Sequence, residues 1–241
     1  MTLDRRILTT IPKGHPGPRV ALFGTWNEAY KPLAEIALPN WLEYCTRHGY
    51  ALVGYPNAFH LDPSRPETYG DKCKFELYYD VRGHCDIAMF LDIDALIMNQ
   101  GRKIEDALSF RPFLWTYDDN GPCSGFWIAR TDELTERHLR YAYERAARHS
   151  NIRNGVIEPN GISDQDSMRD LMNVPPFSRT FGTTSAALYP TQPRCMPAEL
   201  IGHCYESNYK PGDWLLTFPG ISVEEKREKM LKWTKDRACS A

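Results

Sequence analysis

The stretch FLDIDALIMN, Phe90–Asn99, decides the fold. It completes a short, uninterrupted apolar run, IAMFL at Ile87–Leu91, and two aspartates, Asp92 and Asp94, follow at once. A continuous apolar run suits a central strand covered on both faces. In open α/β sheets, ligands gather beyond the carboxyl ends of the strands. Alternate residues of an extended segment point the same way, so Asp92 and Asp94 are expected to face one site together. Two carboxylates so placed suit one hard divalent cation, Mn²⁺ or Mg²⁺, with phosphate oxygens and water completing its shell. The competing reading is a solvated strand end, because short acidic motifs recur by accident.

Upstream of this stretch, Arg19–Trp26 (RVALFGTW) reads as a first buried strand ending in a loop. Tyr30–His48 carries Leu33, Ala37, Trp41, Leu42 and Cys45 at near-helical spacing, and Pro39 is expected to kink or split that helix. Gly49 stops it, and Tyr50–Tyr55 is a second strand. Pro56–Gly70 reads as a loop, and Asp71–Arg82 as a helix capped by Asp71. Downstream, Phe113–Tyr117 and Phe126–Arg130 are strands, and Thr131–His149 is a helix capped by Thr131. Asp164–Met172 is a short helix, Asn173–Pro211 is irregular, Trp214–Phe218 is a late strand and Ser222–Lys232 a final helix. Strands alternating with helices early on, then less regular structure, argue for an α/β sandwich with a mixed sheet.

The 241 residues fit one α/β domain, 1–241, with its core at about 19–233. The net charge is −2 and no long Lys/Arg run occurs, which argues against a nucleic-acid or anionic-membrane surface. Aromatic residues make up 12% of the chain; such rings stack on sugars, but core packing accounts for most of them. Seven cysteines without a CxxC pair read as free thiols of a reducing cytoplasm. The spacing of Cys195, His203 and Cys204 matches no common zinc motif. Neither a signal peptide nor an apolar run of about eighteen residues is read, so the chain is expected to be cytoplasmic, without an integral membrane segment.

Around Asp92 and Asp94 the sequence resembles the retaining galactosyl-, xylosyl- and mannosyltransferases of Golgi type. The matching pieces are HGY at His48–Tyr50, Lys74, FLDIDALIMN, CSGFWIAR at Cys123–Arg130, SDQDSM at Ser163–Met168 and GDWLLTFPGISVEEKREKMLKW at Gly212–Trp233. Their order along one chain is more specific than any single piece. The resemblance implies a GT-A fold, a single-domain α/β/α sandwich with a mixed central sheet. It implies a metal-dependent transferase moving a hexose or pentose from a nucleotide-diphosphate sugar, UDP-sugar ahead of GDP-sugar, to a glycan or other hydroxyl acceptor. Retention is implied by the resemblance alone.

The resemblance also assigns roles. Asp92 and Asp94 would hold the metal. The loop Gly24–Asn27 would hold the nucleoside through Thr25, Trp26 and Asn27, with the Trp26 ring on the base; a core-edge aromatic is the rival reading. Lys74 would neutralise a phosphate or orient the sugar, with Lys72 as a rival. Ser124 and Gly125 would approach the donor sugar, the glycine allowing close backbone approach. Asp118 and Asp119 would bind sugar hydroxyls, or simply belong to the turn at Asn120-Gly121. Asp164 and Gln165 would lie near the anomeric carbon and stabilise an oxocarbenium-like transition state.

One position departs from the family pattern. Where a metal-binding histidine is expected, Thr217 stands in LLTFPG, and a hydroxyl is a poorer ligand than imidazole. His203 is a conceivable substitute, set against the simpler reading of a loop histidine with no special task. Two other functions compete: a haloacid-dehalogenase-type phosphatase, whose nucleophile also sits in a DxD after an apolar strand, and a nucleotide-sugar-binding pseudoenzyme, motivated by Thr217 alone. The phosphatase pattern wants Thr or Val where Leu96 stands, and a motif in the first strand.

Overall fold

The computed structural model describes residues 5–57, 73–118, 121–137, 139–140, 152–153, 156–157, 194–197 and 203–238. Among these, β1 (Arg6–Thr9), β2 (Val20–Trp26), β3 (Ala51–Pro56), β4 (Ile87–Leu91), β6 (Phe113–Asp118), β7 (Gly121–Arg130) and β10 (Arg194–Pro197) form one sheet. Its order is β1-β3-β2-β4-β7-β6-β10. Strands β3, β2 and β4 are parallel, and β7 and β1 run antiparallel to their neighbours β4 and β3. The sheet is therefore mixed, as the sequence predicts. A second, small sheet joins β5 (Ala95–Ile97), β12 (Leu215–Thr217) and β11 (His203–Tyr205), and β8 (Ile152–Arg153) pairs with β9 (Val156–Ile157).

Alternation along β2 and β4 divides the core. Val20, Leu22, Met89 and Leu91 face a layer containing α1 (Lys31–His48), the short α3 (Ile104–Leu108), α4 (Val223–Ala238) and the small sheet. Ala21, Phe23, Ala88 and Phe90 face a layer built on α2 (Cys73–Val81), where Phe75 and Tyr78 meet Trp127. Burial of each large apolar side chain contributes on the order of 2 kcal/mol, so both faces of β4 are secured by packing.

Pro39 does not split α1, which runs unbroken from Lys31 to Gly49, a left-handed C-cap at φ 70°. Pro39 and Glu35, whose carbonyl loses its partner, both lie on the exposed face, where water can serve that carbonyl. The next turn is anchored by tertiary bonds. Asn40 Nδ2 donates to the Ile97 carbonyl (3.0 Å), Asn40 Oδ1 accepts from the Ile97 amide (2.7 Å), and Trp41 Nε1 donates to the Ala95 carbonyl (3.0 Å). These bonds tie α1 to β5, the strand that leaves the Asp92–Asp94 segment. Leu42, expected in the core, is exposed.

Two boundaries also differ from expectation. The helical turn over 133–137 is capped by Asp132, whose Oδ1 accepts the Thr135 amide at 2.8 Å. Thr131 instead donates its hydroxyl to the Cys85 carbonyl at 2.7 Å. The final helix extends past Lys232 to Ala238, and Ser222 Oγ accepts the Glu225 amide at its start. Asp71, Lys72 and most of the Asn173–Pro211 stretch lie outside the described residues. No helix among the described residues is long and apolar enough to cross a membrane.

Candidate active site

Asp92 and Asp94 stand at the carboxyl end of β4, next to the point where the strand order reverses between β3 on one side of β2 and β4 on the other. That crevice is where α/β sheets bind ligands. The segment is a turn rather than an extended strand, because the Ala95 amide donates to the Asp92 carbonyl at 3.1 Å. The expectation that both carboxylates point alike therefore fails. Asp92 turns towards β7 and α2, and Asp94 turns towards α4.

On the first side, the Asp92 amide donates to the Gly125 carbonyl at 2.8 Å. A β-carbon on Gly125 would stand 2.5 Å from Asp92 Oδ2, so glycine is needed there to admit this carboxylate. The side chain of Asp92 is 43% exposed. Lys74, in the first turn of α2, is buried; its Nζ donates to the Ser124 carbonyl at 3.2 Å, lies 3.4 Å from Ser124 Oγ and 3.7 Å from Asp92 Oδ1. The Phe90 ring lies 5.0 Å below the ammonium. Lys74, Asp92, Ser124 and Gly125, picked out separately in the sequence, thus meet.

On the second side, Lys226 Nζ donates to Asp94 Oδ2 at 2.6 Å. The two side chains are only 8% and 15% exposed. The Asp94 carbonyl accepts the Phe218 amide at 3.2 Å, and Thr217 pairs with Ala95 across β12 and β5. Position 217 is therefore beside the aspartate turn, where the family resemblance puts it. The Thr217 hydroxyl is turned inwards, 3.4 Å from the Cys204 carbonyl and 3.4 Å from His203 Nε2.

No protein-family model matches the chain, and no curated protein matches it in sequence. Solved structures match it in fold. The chain is similar to a glycosyltransferase involved in the glycosylation of the major capsid of PBCV-1, with a TM-score of 0.55 and 14% identity over 89% of this chain and 100% of that one. It is also similar to the apo form of the glycosyltransferase GlyE of Streptococcus pneumoniae TIGR4, with a TM-score of 0.50 and 11% identity. That likeness covers 90% of this chain and 60% of GlyE. The chain has a GT-A glycosyltransferase fold. A looser likeness, TM-score 0.46 at 12% identity, covers 87% of this chain and 74% of a Drosophila beta1,4-galactosyltransferase 7 mutant in complex with manganese, UDP-Gal and xylobiose.

Within this glycosyltransferase fold the remaining candidates fall into place unevenly. Thr25 is buried and donates its hydroxyl to the Tyr55 carbonyl at 2.8 Å. Asn27 Oδ1 accepts the Tyr30 amide at 3.0 Å, shaping the loop after β2. Trp26 is only 5% exposed, and a β-carbon on Gly54 would fall 2.7 Å from its ring. The ring expected to stack on a base is thus packed into the core, where the absence of a β-carbon at Gly54 makes room for it. Asp118 ends β6, opposite Gly121. Asp119, Asp164 and Gln165 lie outside the described residues.

His203, the conceivable substitute ligand, has both ring nitrogens turned to threonines. It is buried between Thr116, whose Oγ1 lies 2.8 Å from its Nδ1, and Thr217, and it packs on Phe126. Burial lowers its pKa to about 4, so it is neutral at neutral pH. Cys204 donates to the Leu215 carbonyl at 3.2 Å, and burial raises its pKa to about 12. Among the described residues neither is grouped with two further possible metal ligands, and the Cys195 side chain lies outside them. A cavity of about 500 Å³ between β1 and the end of α2, lined by Ile7, Val53 and Val81 among others, is separate from the aspartate turn.

The donor chemistry at the turn fits a hard divalent cation: two carboxylates from one turn, one of them well exposed. It is not a ready-made cage. Among the described residues no group of three or more His, Cys, Asp or Glu is placed to hold an ion, and Asp94 already carries the Lys226 ammonium. Lys226 is the residue that sequence reading missed. The available signal was a lysine in the first turn of a helix, against the helix dipole, which suggests a carboxylate elsewhere.

Proposed function

We propose that this protein is a glycosyltransferase of one GT-A domain that moves a hexose or pentose from a nucleotide-diphosphate sugar to a glycan or other hydroxyl acceptor. The observation that carries the reading is the Asp92–Asp94 turn at the carboxyl end of β4, with Lys74, Ser124 and Gly125 gathered on Asp92. The similarity of fold to glycosyltransferases supports it. UDP-sugar is favoured over GDP-sugar, and retention over inversion, from the sequence resemblance.

Asp92 and Asp94 are proposed to hold Mn²⁺ or Mg²⁺, which when bound would neutralise the charge that develops on the leaving diphosphate. The chain's own groups do the rest. Lys74 adds a fixed positive charge that faces the same crevice, where low solvent access strengthens it. Thr25 and Asn27 hold the shape of the loop after β2, where the nucleoside is proposed to lie, while Trp26 supports that loop from the core. Asp118 and Asp119 are proposed at the sugar hydroxyls, and Asp164 and Gln165 near the anomeric carbon.

The phosphatase reading is not favoured: the fold resembles glycosyltransferases, and the aspartates follow an inner strand reached after two parallel ones. A screen of UDP- and GDP-sugars for hydrolysis and transfer, with and without Mn²⁺, tests the proposal. Release of nucleoside diphosphate from at least one sugar is expected. Hydrolysis of aryl phosphate with no nucleotide-sugar turnover would overturn it, and donor binding without turnover would make the protein a pseudoenzyme.

A further inference from the structure

Asp94 has two claims on it. As half of the proposed metal site it should face an added cation. In the structure it faces one that the chain supplies: Lys226 Nζ lies 2.6 Å from Oδ2, and both side chains are nearly withdrawn from water. Three features make this contact a built one rather than a surface accident. A surface ion pair of long side chains contributes little and wanders, whereas a pair this buried is held, because separating it leaves a charge without a partner. Lys226 also sits in the first turn of α4, where the helix dipole disfavours a cation, so the helix itself gives no reason for it. Finally, the ammonium lies 5.6 Å over the Tyr30 ring, a second favourable contact on the loop that follows β2.

A carboxylate oxygen that accepts a short bond from an ammonium is not available to a divalent cation at the same time without loss. Asp92, by contrast, is 43% exposed and can be reached directly. The two aspartates of the motif therefore differ: Asp92 is half-exposed with Lys74 at 3.7 Å, and Asp94 is closed by Lys226 at 2.6 Å. The Lys226 stem is unbranched, with rotatable bonds along its length, so its head can leave Asp94 while α4 stays packed on α1.

We propose that Lys226 is a built-in competitor for the metal: its ammonium occupies Asp94 in the metal-free protein and must leave before a divalent cation can use both aspartates. The inference rests on the metal reading of the site given above. It makes the resting site a closed one, held by a side chain of the final helix, and it sets the metal affinity below that of an equivalent carboxylate pair. Cation binding and departure of Lys226 become one exchange, and anything that draws the ammonium away from Asp94 raises metal affinity by the same factor.

The test is a calorimetric titration of Mn²⁺ alone into the wild-type chain and into Lys226→Met, Lys226→Gln and Lys226→Arg. Met keeps the apolar stem without the charge. Gln keeps a hydrogen-bond donor for Asp94 and serves if the Met variant does not fold. Mn²⁺ should bind the Met or Gln variant about tenfold more tightly than wild type or better. The Arg variant, which keeps a cation able to grip a carboxylate, should bind no more tightly than wild type. Equal, measurable Mn²⁺ affinity in wild type and the uncharged variants would overturn the competitor while leaving the metal site standing. Absence of saturable Mn²⁺ binding in every folded variant would overturn the metal reading, and the competitor with it. Asp94→Asn serves as the control: tight binding that survives it places the ion elsewhere and overturns the proposal.

Discussion

Gly125 and Asp92 interlock. The glycine carbonyl accepts the Asp92 amide at 2.8 Å, and a β-carbon on the glycine would stand 2.5 Å from the Asp92 carboxylate. Gly125→Ala must push that carboxylate aside. Because the carboxylate is substantially exposed it can swing out, so stability should change by less than about 1 kcal/mol. The transfer rate should fall on the order of a hundredfold, as for any reacting group misplaced by about an ångström. Thermal unfolding beside steady-state kinetics checks both halves. A variant with wild-type turnover would remove Asp92 from the chemistry.

Asp94→Ala is expected to do two kinds of damage. If Asp94 is the metal ligand proposed above, turnover should drop on the order of a thousandfold or more. The fold should also weaken by about 3 kcal/mol, because the buried Lys226 ammonium loses its partner. The double variant Asp94→Ala/Lys226→Met should regain most of the stability and none of the activity. Denaturant melts of the two single variants and the double variant give the coupling. Strict additivity would mean the ion pair contributes nothing to the fold.

Asn40→Ala tests how the aspartate turn is held. Asn40 bonds both the amide and the carbonyl of Ile97. The carbonyl keeps a second donor in Gln100 Nε2 at 2.8 Å, but the amide is left with no side-chain partner. The loss should be about 1–3 kcal/mol, the usual cost of a stranded buried polar group. Urea unfolding measures it. A loss below about 0.5 kcal/mol would mean that water replaces the amide and that α1 is held by packing alone.

The parts of this fold that repeat a period were legible in the sequence. Strands β2, β3 and β4 are continuous apolar runs, and α1 shows its buried Leu33, Ala37, Trp41 and Cys45 at helical spacing. What depends on a partner far along the chain was not. The strand β1 is largely exposed, and only its pairing with β3 makes it a strand. Trp26 reads equally well as a stacking ring or a core ring until Gly54 is seen beside it. Asp92 and Asp94 look equivalent in sequence, and only the turn bond from Ala95 separates their directions. Lys226 lies in a charge-rich stretch that reads as a solvated face, and its carboxylate partner is 132 residues away.

His203 should make the protein sensitive to mild acid. Its folded pKa is lowered to about 4 by burial, from an ordinary 6.5. As pH falls below about 6.5 the unfolded chain takes up a proton that the folded chain refuses, so protonation favours unfolding. The stability contributed by the neutral imidazole is complete above that range, is lost progressively from about pH 6.5 down to about 4, and changes no further below. The loss amounts to about 3 kcal/mol at most, taking 1.36 kcal/mol per pH unit. His203, on β11 of the small sheet, also meets Thr116 on β6 of the main sheet, so acid should loosen the contact between the two sheets first. His203→Gln keeps polar atoms near both threonines and cannot ionise. Urea midpoints of wild type and His203→Gln at intervals from pH 7.5 to about 4.5 should converge as pH falls, because only the wild type loses the histidine contribution. Curves that stay parallel across that window would mean that the imidazole takes up a proton in the folded protein as easily as in water.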